Sequence, residues 1–166
     1  MRKTLVKAGL SAAAILLTSS AAYAQSTANA SLNVTVNVAA RATLTLGAAA
    51  LNFADADPTT VPVLTAAPVA ITVGARTSPT GNVTLTVLAT GNLVGAGGTI
   101  PIGNLTWTST GTGFAAGASN ATTAQSVGTW TGPGAQNGTQ TFSLPNSWAY
   151  GTGTYTTTLN YTLTVP

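Results

Sequence analysis

The feature that most constrains the fold is a strict alternation of apolar and polar side chains at the end of the chain, in YTTTLNYTLTVP. A period of two is typical of a β-strand with one buried face, because successive side chains of a strand point to opposite sides. Threonine and asparagine occupy the polar face. The residues predicted to face the core are Leu159, Tyr161, Leu163 and Val165.

A second segment with the same alternation, SLNVTVNV, lies near the other end of the chain and is followed by AARA. Its regular pattern also predicts a strand. Because neither strand carries a lysine that would keep other chains away, each is an open template for pairing unless the fold covers it. The apolar face of this second segment consists of Leu32, Val34, Val36 and Val38.

Residues 1–24 have the organisation of a bacterial secretory signal peptide: a basic start, an apolar stretch (AGLSAAAILL) and a small-x-small cleavage site at Ala22-Tyr23-Ala24. The apolar stretch is too short for a membrane span. We therefore expect a mature chain that begins near Gln25, passes through the periplasm and ends at the cell surface or outside the cell, with no membrane span.

The mature chain carries almost no charge. Its charged side chains are Arg41, Arg76, Asp55 and Asp57, and the remaining basic residues lie in the leader. Two arginines cannot form the basic stripe with which proteins displace counterions from nucleic acids, so we expect no nucleic-acid partner. The chain is nevertheless rich in threonine, valine and leucine, which favours folded strands over disorder.

Short alternating segments separated by Gly-, Asn- and Pro-rich connectors predict an all-β fold of about eight or nine strands. An antiparallel β-sandwich formed by residues 41–166 is the architecture we expect, with a closed barrel, a single closed sheet, as the alternative. Residues 69–76 and 82–89 flank the turn-rich RTSPTG and suggest a hairpin. The segment ALNF, residues 50–53, resembles a further short strand.

Enzymatic chemistry has few residues to work with, since the mature chain has no His, Cys, Lys or Glu. Asp55 and Asp57 lie in the Pro-containing loop ADADPTTVP and, if extended, would be roughly 6.5–7 Å apart. That spacing approaches the spacing of glycosidase carboxylates, and the same pair could bind calcium. Turn formation by a polar loop is the simplest interpretation. We therefore predict no enzyme, no cofactor and no metal, with Asp55 and Asp57 as weak calcium candidates.

Aromatic residues suggest one further type of site. Trp107 and Trp130 are expected to fill the core, as large aromatics of small sandwiches do. Trp148 and Tyr150, in the loop PNSWAYGTG, are the best candidates for an exposed platform that stacks against sugar rings.

Two segments resemble the spore coat protein U and fimbrial-subunit family of secreted proteins. ASLNVTVNVAARATLTLGAAALNFADADP is similar in order and register to the start of that family, and GTQTFSL…GTGTYTTTLNYTLTV is similar to its ending. Two family features are absent here, namely the cysteine pair and an aromatic residue at the end of the chain.

The resemblance implies an incomplete immunoglobulin-like sandwich that lacks its last strand. In such families the N-terminal strand of the next subunit fills the gap, after a periplasmic chaperone has held it open. Residues 25–40 would then be the donor arm, with Leu32, Val34, Val36 and Val38 entering a groove lined partly by Leu159, Tyr161, Leu163 and Val165.

The sequence thus predicts a structural subunit of a bacterial surface filament, fimbria or coat, assembled by β-strand addition to copies of itself or to related subunits. The alternative is a self-contained sandwich that acts as an adhesin or carbohydrate-binding module through Trp148 and Tyr150. The two hypotheses differ in whether residues 31–38 pair between chains or within one chain.

Overall fold

The computed structural model describes residues 26–166, so the predicted signal peptide, residues 1–24, lies outside the described part. The chain divides into two compact units, with the boundary between Val36 and Asn37. Residues 26–36 belong to no strand or helix. All the strands of the described residues lie in the larger unit, residues 37–166.

The larger unit is built from short strands, and its only helical element within residues 37–166 is one 3-10 turn at Ile102–Asn104. The strands are β1 (Arg41–Leu46), β2 (Val63–Thr65), β3 (Val69–Arg76), β4 (Asn82–Ala89), β5 (Leu93–Gly95), β6 (Gly98–Ile100), β7 (Thr106–Thr110), β8 (Gly117–Ala118), β9 (Gln125–Thr131), β10 (Gly134–Pro145) and β11 (Leu159–Thr164).

These strands form two main antiparallel sheets. The larger has the order β1-β3-β10-β7-β8, with β2 also paired to β10, and the smaller has the order β11-β4-β9. Strands β5 and β6 form a separate hairpin. The fold is therefore an antiparallel β-sandwich, as the sequence predicts, and the alternative of a single closed sheet is wrong.

The core lies between the two sheets and follows the alternation of the strands that form it. On β3, Ile71 and Val73 are buried, and on β4, Leu85 and Val87 are buried, while their sequence neighbours face outward. Phe142 of β10 packs near Trp107 of β7, with ring centroids 6.0 Å apart. The central strands of both sheets are thus well covered.

Two predictions about local structure are wrong. Strands β3 and β4 do not form a hairpin, because β3 pairs with β1 and β10 whereas β4 pairs with β11 and β9. The RTSPTG turn instead carries the chain from one sheet to the other. The ALNF segment also forms no strand, since the chain runs without strand structure from Gly47 to Pro62.

The sandwich has two chemically different ends. At one end, which we call the arginine end, Arg41 of β1 lies directly opposite Arg76 of β3, and the Thr77 hydroxyl donates a hydrogen bond to the Pro166 carbonyl oxygen at 2.8 Å. At the other, the aspartate end, the Asn146 side chain donates to the carbonyl oxygens of Ala56 and Val61. Asp55 and Asp57 lie in the loop held there.

Strand β10 gives the distance between the ends. It begins at Gly134, which is paired with Ala75, and finishes at Pro145, which directly precedes Asn146. At about 3.3 Å per residue, the two ends are roughly 35 Å apart.

An open seam between the two sheets as the candidate functional site

Strands β1 and β11 are the edge strands of their sheets on the same side of the sandwich. Within residues 37–166, β1 pairs only with β3, and β11 pairs only with β4. The outer backbone edge of β11 therefore has no neighbouring strand among the described residues. Such an edge is a template for pairing with a further strand.

The core-facing side chains of these two edge strands are only half-buried, unlike those of β3 and β4. On β1 they are Leu44 and Leu46. On β11 and just beyond it they are the residues that the sequence predicts for this face, Leu159, Tyr161, Leu163 and Val165. All of them pack against the buried core. The core is therefore continuous with an apolar surface along the β1–β11 seam.

A cavity of about 1190 Å³ lies at the aspartate-end half of this seam. Leu46 lines one wall and Leu159 and Tyr161 line the other, while its floor reaches core residues Phe142 and Leu144. The lining is of mixed polarity, because threonine, asparagine and aspartate residues lie beside these apolar side chains. An apolar strand face that covered the apolar part of the lining would gain free energy.

A smaller cavity, of about 330 Å³, lies at the arginine-end half of the same seam. Ala40 and Ala42 line one side of it, and Leu163 and Val165 line the other. The two cavities together follow the whole length of β11, which at six residues is about 20 Å long.

One polar pair lies where the seam meets the core. The Tyr161 hydroxyl donates a hydrogen bond to Oε1 of Gln140 at 2.5 Å, and Gln140 is 0% exposed. Nε2 of Gln140 has no hydrogen-bond partner within residues 26–166. Burial raises the pKa of Tyr161 above its ordinary value, because the phenolate would lose its hydration there.

The predicted donor segment, residues 31–38, belongs to no strand, and every residue from 26 to 40 is exposed. Single exposed apolar side chains are normal, whereas four at alternate positions of one exposed segment are unusual. The exposed fractions are 88% for Leu32, 78% for Val34, 76% for Val36 and 65% for Val38.

The aromatic residues separate into core and surface. Trp107 and Trp130 are buried, and their indole N–H groups donate to the carbonyl oxygens of Ala115 and Thr112. Trp148, by contrast, is 74% exposed. Tyr150 packs against the core, and its hydroxyl accepts a hydrogen bond from the Asn104 side chain at 3.3 Å. Of the two residues of the candidate sugar platform, Trp148 is therefore exposed and Tyr150 is half-buried.

Asp55 and Asp57 are both exposed. Asp57 forms a turn, since its Oδ1 accepts the Thr59 N–H at 2.8 Å and its carbonyl oxygen accepts those of Thr60 and Val61. Within residues 26–166, no group of three or more His, Cys, Asp or Glu side chains is close enough together to hold a metal ion.

Sequence reasoning missed the β1 wall of the seam and the role of Gln140. The alternation in ATLTL already places Leu44 and Leu46 on one face, but only the strand order shows that this face lies across from β11. Gln140 shares a face with Phe142 and Leu144 in GTQTFSL, so its inward direction was available from the period of two.

No protein-family model matches the chain, and no curated protein matches it. No helix within residues 26–166 has the length and apolarity needed to cross a membrane.

Proposed function

We propose that this protein is a secreted structural subunit of a bacterial surface filament, fimbria or coat, assembled by β-strand addition. The observation that carries the proposal is the open β1–β11 seam, where half-buried apolar side chains line an edge strand that has a neighbour on one side only within residues 26–166. The exposed arm of residues 31–38 supplies the matching element, because its alternating sequence would present four apolar side chains on one face once it is extended beside β11.

The energetics favour association between copies. Burying the four apolar side chains of the arm contributes roughly 1.5–3 kcal/mol each, or on the order of 6–12 kcal/mol together, before the entropy of ordering the arm. Backbone hydrogen bonds to the free edge of β11 add affinity and fix the direction of the strand, while the alternate side chains supply specificity. Because each copy would donate one arm and accept another, the contact is open-ended and produces filaments.

The test uses mature protein secreted by its own host, run unheated on an SDS gel beside a version that lacks residues 25–40. A ladder of multimers that collapses on boiling and is absent from the truncated protein is the expected result. A full-length protein that runs only as a monomer would exclude this function.

A matched pair of arm variants sharpens the test. Val34→Asp places a charge on the apolar face of the arm, whereas Thr35→Asp places the same charge on the opposite face. We expect Val34→Asp to abolish the ladder and Thr35→Asp to preserve it, because only the first would bury a carboxylate without a partner. Equal effects of the two variants would contradict insertion of this face.

One observation supports the alternative of an adhesin or carbohydrate-binding module, and it is the exposure of Trp148. An exposed indole offers a flat apolar face on which sugar rings stack. Screening the wild-type protein and the Trp148→Ala variant for glycan binding tests this alternative. Trp130 is buried, so a variant at that position would change the core and is not a suitable control. Glycan binding that disappears in Trp148→Ala, in a protein that stays monomeric, would favour the module.

A further inference from the structure

The strand ladder opposes two like charges in a protein that has only four charged side chains after its leader. Arg41 and Arg76 are direct partners on the outer face of β1 and β3, an arrangement that is unfavourable in an isolated sheet. Both arginines lie at the arginine end of the sandwich. Both aspartates lie at the other end, in the loop held by Asn146.

Arg and Asp side chains of one copy cannot neutralise each other, because the two ends are roughly 35 Å apart. The aspartate end also presents exposed apolar side chains beside its carboxylates. Asn146 holds the aspartate loop beside β2, since its backbone N–H donates to the Pro62 carbonyl oxygen and its side chain donates to the carbonyl oxygens of Ala56 and Val61. The exposed apolar residues at this end are Val61, Val63 and Trp148.

The short connection between the arm and the body, residues 41–166, limits where the next copy can lie. Only Ala39 and Ala40 separate the donor segment from Arg41, the first residue of β1. The chain from Val38 to Arg41 spans at most about 11 Å. A copy whose arm fills the seam must therefore place its own arginine end directly against the copy that accepts the arm.

The direction of the inserted arm decides which surface it meets. Strand β11 starts at the aspartate end and finishes at the arginine end, where Pro166 contacts Thr77. An arm antiparallel to β11 leaves the seam at the aspartate end and brings Arg41 and Arg76 of its copy to Asp55 and Asp57. An arm parallel to β11 would instead bring arginine end to arginine end.

We propose that the arginine end of each copy docks on the aspartate end of the copy that accepts its arm, with Arg41 and Arg76 facing Asp55 and Asp57. This inference rests on the proposed function, since it needs the arm to enter the seam of a second copy. Charge complementarity then selects the antiparallel direction and speeds the encounter, as it does in other interfaces.

The experiment compares assembly of full-length mature variants after dissociation in guanidinium chloride and dilution, followed by light scattering and unheated SDS gels. We expect Asp55→Arg/Asp57→Arg to assemble at least about tenfold more slowly than wild type at low ionic strength, with the difference shrinking near 1 M salt, where charges are screened within about 3 Å. Adding Arg41→Asp and Arg76→Asp to the same chain should restore the rate.

A direct measurement covers the case in which the charge variants fold poorly. The chain has no cysteine, so Thr59→Cys and Ser78→Cys place one thiol at each end of an otherwise unreactive copy. A short bis-maleimide should convert the assembled polymer into a ladder that survives boiling, because intramolecular cross-linking cannot span the two ends. The matched control is Thr59→Cys with Thr108→Cys, whose second thiol lies on the outer face of β7.

The outcomes separate the two proposals. A wild-type ladder together with unchanged assembly of Asp55→Arg/Asp57→Arg, or with no cross-link between residues 59 and 78, overturns the docking while strand addition stands. A wild-type chain that forms no multimer overturns both. The contact is established if reversing all four charges restores the assembly rate and if the cross-link forms in Thr59→Cys/Ser78→Cys but not in the control.

Discussion

The hydroxyl of Tyr161 donates a hydrogen bond to the side-chain oxygen of Gln140 across the two sheets of the sandwich, at 2.5 Å. Tyr161 lies on β11 and Gln140 on β10, so the bond joins the edge strand of one sheet to a central strand of the other. Gln140 is completely buried, and this is the one polar connection that its side chain makes within residues 26–166.

Tyr161→Phe should therefore destabilise the body, residues 41–166, by about 1–3 kcal/mol, because it leaves the Gln140 amide buried without any partner. Urea unfolding followed by tryptophan fluorescence measures the change. The double variant Tyr161→Phe/Gln140→Leu is the control, since replacing both polar groups with apolar ones should recover most of the loss. A single variant within about 0.5 kcal/mol of wild type would contradict this role of the bond.

The same tyrosine predicts a loss of stability in alkaline solution. Burial raises its pKa in the folded state, so the unfolded chain releases the proton first as the pH rises. The stabilising contribution is fully present below the unfolded-state pKa of about 10 and is lost above it. We expect the free energy of unfolding to fall as the pH rises past about 10, and to fall less steeply in Tyr161→Phe. Parallel curves for the two proteins would contradict the assignment.

Gly113 is required by both its backbone and its surroundings. Its φ is +81°, and an added Cβ would contact Nε1 of Trp130, the atom that donates to the Thr112 carbonyl oxygen. Gly113→Ala should lower the free energy of unfolding by at least about 2 kcal/mol through strain and overpacking. The control is Gly103→Ala, where an added Cβ meets open space. Similar stabilities of the two variants in urea unfolding would refute this requirement.

A synthetic peptide of residues 25–40 should bind the body, residues 41–166, and raise its Tm. At a free peptide concentration of 100 times its Kd, binding to the folded state contributes about 2.7 kcal/mol. Thermal unfolding with increasing peptide measures the shift. A peptide carrying Val34→Asp and Val36→Asp is the control, and equal shifts from both peptides would argue against recognition of the apolar face.

The seam can be tested from the side of the acceptor as well. Leu163→Ala removes part of the half-buried wall of β11, whereas Thr162→Ala changes the adjacent outward face. Losing the contact made by the missing carbon atoms should weaken binding of the peptide by about ten- to fiftyfold for Leu163→Ala. Calorimetry should show Thr162→Ala within about twofold of the unmodified body. An unchanged affinity of Leu163→Ala would place the peptide elsewhere.

The period of two predicted the fold class and several of its longer strands. It located β1, β3, β4 and β11, and it identified the core face of β11 residue by residue. Alternation shows which side chains of a strand share a face, but it does not show which sheet the strand joins or which strands it pairs with. The error at the link between Arg76 and Asn82 has that origin, because a turn-rich connector serves a hairpin and a crossing between sheets equally well.

The candidate site was predictable only in part for a related reason. The alternation of the last strand predicts one wall of the seam, formed by Leu159, Tyr161, Leu163 and Val165. The opposite wall and the cavity between the two walls depend on the order of the strands. The separation of Arg41 and Arg76 from Asp55 and Asp57 is likewise invisible in the sequence, where Arg41 is nearer to Asp55 than to Arg76. The two arginines and the two aspartates lie at opposite ends of the sandwich because β1 runs from the arginine end to the aspartate end.

The position of the first residue of β1 has a mechanical consequence. Because β1 starts at the arginine end, each copy would be pulled through its own arm from that end, while the arm it accepts would be pulled out from the aspartate end. Tension along the filament would then act parallel to β11, and every hydrogen bond between arm and edge would carry the load at the same moment. Hydrogen bonds that share a load in this way resist separation better than bonds broken one at a time, so the proposed strand addition would also let a filament of these copies withstand drag.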